Sequence, residues 1–99
     1  MVITEQQTEE GLTLILNGKI DKISAPSVQS AVLAAVQKSA NLTIDFTDVL
    51  YISSAGLRAL LLGQKSAQTK GGTMKLIGVG EEVMSILKLS GFDKILVIQ

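Results

Sequence analysis

Two adjacent hydroxyls, Ser53 and Ser54, stand where the hydrophobic period of the chain changes. Upstream, Leu42-Thr-Ile-Asp-Phe46 is short and rich in strand formers; downstream, Leu57, Leu60 and Leu61 repeat at helical spacing. The pair therefore opens a helix, and the first backbone N–H groups of a helix have no partners within it. A serine at such a point caps the helix, which contributes about 1 kcal/mol. The same place also accommodates an anion. For an isolated Ser-Ser before an apolar helix, capping is the ordinary explanation.

The other polar groups carry less chemistry. The chain has no histidine and no cysteine, so Ser-His-Asp and Cys-His arrangements are impossible and the usual zinc sets lose their ligands. No metal, cofactor or catalytic residue is expected. Asp45, at a strand end, and Asp48, in the loop after it, lack a third ligand or a neighbouring base and are read as bonding to local backbone. Ser85-Ile-Leu-Lys88 fits S-x-x-K without its companion motifs. Gly78-Val-Gly80-Glu-Glu-Val83 opens like a dinucleotide loop, but Val83 fills the third glycine's place and Glu81-Glu82 would repel a pyrophosphate. A strand-to-helix turn explains it better. What remains is a binding module with an exposed serine, and not an enzyme.

The elements that must position this serine follow from periodicity. Val2 to Gln6 and Leu12 to Asn17 read as an antiparallel hairpin across Gln7 to Gly11. Ile15, opposite in phase to Leu12, Leu14 and Leu16, implies that both faces of this strand are covered. Lys19 to Pro26 reads as a loop into a helix capped by Ser24, with Pro26 in its first turn. Val28, Ala31, Val32, Ala35 and Val36 form the buried stripe of that helix, which runs to about Lys38 or Ser39. The helix opened by the serine pair extends to about Lys70, with Gly71-Gly72 supplying the left-handed end. Met74 to Val79 is a strand, Glu81 to Ser90 a helix, and Lys94 to Ile98 a last strand. The order ββαβαβαβ predicts one α/β domain over residues 1–99, with a mixed, mostly parallel sheet packed with helices.

Composition excludes several classes of function. Nine Lys plus Arg balance nine Asp plus Glu, so no net field attracts nucleic acid or an anionic membrane. The basic residues are scattered without interleaved aromatics, which argues against direct nucleic-acid binding. No apolar run approaches the roughly 20 residues of a membrane span, and Met1-Val-Ile-Thr-Glu5 lacks the basic start of a secretory signal. A cytoplasmic location without membrane insertion is expected.

The central stretch resembles the signature of STAS domains, the fold of bacterial anti-sigma factor antagonists. The resemblance rests on Asp45 after a hydrophobic strand, then Val49, Tyr51, Ile52, Ser54, Ala55, Gly56 and Leu57. Gly18-Lys19-Ile20-Asp21 resembles the family's G-E-L-D segment after the second strand, with Lys19 replacing the acid. Ser53 stands where the family often has an acid, and Ala55 where a second hydroxyl is frequent. The resemblance implies a STAS-like fold and an anti-sigma factor serine kinase as partner. It implies phosphorylation at Ser54, with Ser53 the alternative acceptor, and a phosphatase to reverse it. The partner surface it implies is Asp21, Ser53, Ser54, Ala55, Gly56 and Arg58, acting on sigma-dependent transcription indirectly. Other members of the family act without phosphorylation, as scaffolds or as accessory subunits, for example of lipid transporters.

Overall fold

Leu12, Leu14 and Leu16 alternate with Thr13, Ile15 and Asn17 along the second strand, so that the leucines share one face, and a similar alternation recurs in Leu42 to Phe46 and Met74 to Leu76. The computed structural model describes residues 1–99 and orders these segments as β1 (Val2–Thr8), β2 (Gly11–Ile20), α1 (Ala25–Lys38), β3 (Asn41–Ile52), α2 (Ser54–Thr69), β4 (Thr73–Ile77), α3 (Glu81–Ser90) and β5 (Val97–Ile98). The strands lie side by side in chain order, β1-β2-β3-β4-β5. β1 pairs antiparallel with β2, and every later pair is parallel. This is the expected mixed sheet in a single α/β domain.

Strand order decides where the helices go. From β2 to β5 each crossover steps in the same direction, and right-handed crossovers that never reverse direction place every helix on the same face. One core results. It joins Leu12, Leu14 and Leu16 of β2, Leu42, Ile44 and Phe46 of β3, and Met74 and Leu76 of β4 to Val28, Val32 and Val36 of α1, Leu57 and Leu60 of α2, and Val83 and Leu87 of α3. On the opposite face Thr13, Ile15, Thr43, Asp45, Lys75 and Ile77 are only half-buried. The sheet is therefore covered on one side, and the expectation drawn from Ile15 of cover on both is corrected.

Both central strands are longer than their period-two runs. β3 continues from Phe46 to Ile52, and β2 from Asn17 to Ile20, because the β2–β3 register shifts between Ile15 and Asn17 and again between Gly18 and Lys19. Each shift resets which side faces the core. Val49 and Ile52 consequently return to the interior while Thr47, Asp48, Leu50 and Tyr51 are exposed. Asp48 is thus a strand residue paired with Asn17, and not part of a loop. The C-terminal segment also differs: Phe92–Lys94 forms one turn of 3-10 helix, and only Val97–Ile98 pairs with β4. Gly91, at φ 78°, ends α3 in the left-handed region.

Candidate functional site

The serine pair lies at the C-terminal end of β3, where the parallel sheet meets the start of α2. Ser53 is extended, at φ −89° and ψ 173°, the backbone conformation usual for a helix N-cap. Its Oγ accepts a hydrogen bond from the Gly56 N–H at 3.2 Å, and its carbonyl accepts from Leu57 N–H at 2.9 Å. Its own N–H donates to the Ile20 carbonyl at 2.8 Å, which fastens the end of β2 to the helix start. Ser53 is therefore the helix cap. Ser54 is the first helical residue; its side chain is exposed and makes no hydrogen bond to the protein.

Gly56 allows this close seating. A Cβ at that position would stand 2.6 Å from Ile20 Cγ2 and 2.7 Å from Ile52 Cγ1, well inside van der Waals contact. Ala55 is half-buried, Leu57 is buried, and Arg58 projects into solvent. The first turn of α2 thus rests on the sheet through Gly56 and Leu57 and presents Ser54 and Arg58 outward.

The loop after β2 is built by reciprocal bonds between Asp21 and Ser24. Asp21 Oδ1 accepts from the backbone N–H of Ile23 and of Ser24, both at 2.9 Å. Ser24 Oγ accepts from Asp21 N–H at 3.0 Å and donates to the Lys19 carbonyl at 2.7 Å. The Ser24 hydroxyl therefore closes the loop and does not cap α1 through its side chain, contrary to the sequence expectation. The Ser24 backbone N–H, above all, holds the Asp21 carboxyl below its ordinary value. The β2–β3 pairing and the Ser53 to Ile20 bond place this loop beside the serines.

Exposed apolar side chains near these residues escaped the periodicity reading. Ile23 is 88% exposed at the tip of the Asp21 loop, and Leu50 and Tyr51 are 64% and 45% exposed at the end of β3. The available signal was that Ile23 belongs to no periodic run and that Leu50-Tyr51 interrupts the alternation of β3. Asp45 lies within β3 and not at a strand end, but it bonds locally as expected: its Oδ1 accepts from Thr47 N–H at 2.9 Å and Thr47 Oγ at 2.6 Å. Gly78 to Gly80 forms the turn into α3, with Gly80 as its N-cap, and Ser85 and Lys88 lie exposed on α3. No group of His, Cys, Asp or Glu side chains is placed to hold a metal ion.

A one-sided sheet with a serine presented at the start of its second helix is the arrangement of a STAS domain. The STAS domain profile matches residues 2–99, and the chain belongs to that family. Among its relatives is the anti-sigma-B factor antagonist of Bacillus subtilis, 28% identical over 91 residues that cover 92% of this chain and 84% of that protein. The fold superposes with a TM-score of 0.87 on an anti-sigma factor antagonist from Mycobacterium paratuberculosis, 22% identical, over 98% of this chain and 83% of that one. It also matches SpoIIAA, a Bacillus cell fate determinant, at 14% identity over 99% of this chain. The TM-score is 0.76 for the unphosphorylated form and 0.75 for the phosphorylated form, covering 87% and 91% of those chains.

Proposed function

We propose that this protein is an anti-sigma factor antagonist, a non-enzymatic cytoplasmic binding module switched by phosphorylation of Ser54. The observation that carries the reading is the division of labour between the two serines: Ser53 caps α2, which leaves the Ser54 hydroxyl exposed and without a structural task. Unmodified, the surface formed by Asp21, Ser53, Ser54, Ala55 and Arg58, flanked by Ile23 and Tyr51, binds an anti-sigma serine kinase and so frees the sigma factor; Gly56, expected on that surface, is buried against the sheet and only seats the helix beneath it. The relatives named as anti-sigma factor antagonists support this reading.

In the switching step, the kinase brings its bound ATP to this surface. Ser54 Oγ attacks the γ-phosphorus, the bond from that phosphorus to the β,γ-bridging oxygen breaks, ADP leaves and the hydroxyl proton passes to a base of the kinase. A phosphatase reverses the change by transferring the phosphoryl group to water. The added charge is about −1.5 to −2 at neutral pH, placed where a helix start tolerates it. The fold need not change; the near-equal likeness to unphosphorylated and phosphorylated SpoIIAA supports that view. Charge and bulk then act on the partner surface alone.

The test is site-resolved mass spectrometry after incubation with each anti-sigma kinase of the source genome and ATP, using wild type, Ser53→Ala and Ser54→Ala. Phosphate is expected in the first two and not in the third. Phosphate on Ser53 alone refutes the Ser54 assignment and spares the switch. Phosphate on neither, with active kinases, leaves an unswitched accessory or scaffold domain.

A further inference from the structure

A shallow groove runs between α1 with the loop before it and the first turn of α2, lined by Lys22, Ala25, Pro26 and Gln29 on one side and, on the other, by Arg58 and by Ala55, the residue after Ser54. It contains two cations and no carboxylate. Both are exposed, and neither takes part in an ion pair or a side-chain hydrogen bond; the one salt bridge in the structure, Lys38 to Glu5, is elsewhere. The nearby carboxylate, Asp21, turns an oxygen to the backbone N–H groups of Ile23 and Ser24. Lys22 and Arg58 are thus unclaimed within the chain.

Arg58 follows Ser54 by four residues, a spacing that puts two side chains on one face of a helix about 5–6 Å apart at Cβ. Helical side chains also lean toward the N-terminus. A guanidinium at position 58 therefore reaches back over residue 54, and its planar fork suits two oxygens of one phosphate. Lys22 supplies a point charge from across the groove.

Resting on the reading of Ser54 as the modified residue, we propose that Arg58, assisted by Lys22, seats the phosphate of phosphorylated Ser54 within the chain itself. Phosphorylation then does two things. It adds negative charge to the partner surface, and it withdraws the two cations that the unmodified surface offers to a partner. The modified protein is left with a neutralised patch, and a partner carboxylate that used Arg58 loses its counter-charge.

The proposal is tested without any kinase by installing phosphoserine at position 54 during translation and following the 31P shift against pH. A neighbouring cation favours the dianion over the monoanion, so the second phosphate ionisation, normally near pH 6, should move to lower pH in the wild-type background. Arg58→Gln should weaken that acidity by roughly 1.4-fold to 2.3-fold, and Lys22→Gln by less, as exposed i,i+4 pairs indicate. The helix start is common to all three proteins and cancels in the comparison. Salt at about 1 M should shrink the difference, because exposed charges are screened. Identical titrations in the three proteins, each folded by circular dichroism, would overturn the clamp. That result would leave the switch intact, whereas absence of phosphoryl transfer by the kinases would remove the switch without touching the titration.

Discussion

The most direct physical test of the site compares two truncations one residue apart. Ser53→Ala removes the acceptor of the Gly56 N–H, and Gly56 is buried, so that donor has no ready replacement in water. An N-cap loss costs about 0.5 to 2 kcal/mol, and stranding a buried donor favours the upper half, about 1 to 2 kcal/mol. For a chain of this size that is a fall in Tm of roughly 4 to 8 °C for each kcal/mol. Ser54→Ala removes an exposed hydroxyl with no partner, and should change stability by less than about 0.5 kcal/mol. Ser53→Asp should recover most of the loss, since Asp caps as well as Ser. Urea unfolding with linear extrapolation measures all three, with unchanged m-values confirming that the denatured state is comparable. Equal losses at the two positions, or a larger loss at Ser54, would refute the assignment of the cap to Ser53 and with it the claim that Ser54 is free for modification.

Other outcomes follow from the same geometry. Gly56→Ala gains about 1 kcal/mol of helix propensity but drives a Cβ into Ile20 and Ile52, an overpacking cost of about 1 to 3 kcal/mol; a net loss in urea unfolding is expected. Gln64 is buried on α2 with its Oε1 unpartnered, so Gln64→Met should stabilise by about 1 kcal/mol, read as a rise in the urea midpoint. The Asp21 carboxyl is held below its ordinary value of 3.8, so its stabilising effect is fully present above that pH and is lost as pH falls through the lower, folded value; the stability gap to Asp21→Asn should be flat above about pH 4 and close in more acid solution. In binding titrations with the kinase, Ser54→Asp should stay folded and lose affinity, while Ser54→Ala should bind and resist phosphorylation.

The helices were legible because their stripes are regular. α1 buries Val28, Val32, Ala35 and Val36 as its spacing demands, and Gly71, at φ 75°, follows α2 in the left-handed conformation expected of it. The strands were legible only where alternation is unbroken. At Phe46-Thr-Asp-Val-Leu-Tyr-Ile52 two exposed residues separate successive buried ones, a spacing closer to three than to two, because register shifts in the β2–β3 ladder are tertiary features that leave no periodic trace. One-sided cover of the sheet was hidden for a different reason. It depends on strand order, and Ile15 is as apolar as a residue facing a second layer would be. Near the serines, the period change located the helix start, but deciding which hydroxyl caps it needed the extended backbone of Ser53 and its bond to Gly56.

That assignment explains how one site can be both rigid and chemically available. A residue presented to a kinase must be exposed, and a helix start must satisfy its N–H groups or fray; a single serine doing both would have to free its oxygen from the backbone N–H before it could react. Here the tasks fall to neighbours. Ser53 holds Gly56 and Ile20 through side chain and backbone, while Ser54 stands one residue further on with its hydroxyl free. An acid at position 53 would cap equally well but would place a permanent negative charge beside the hydroxyl. On the proposed switch, the negative charge that Arg58 and Lys22 meet at this helix start comes from the phosphate itself, because Ser53 carries none.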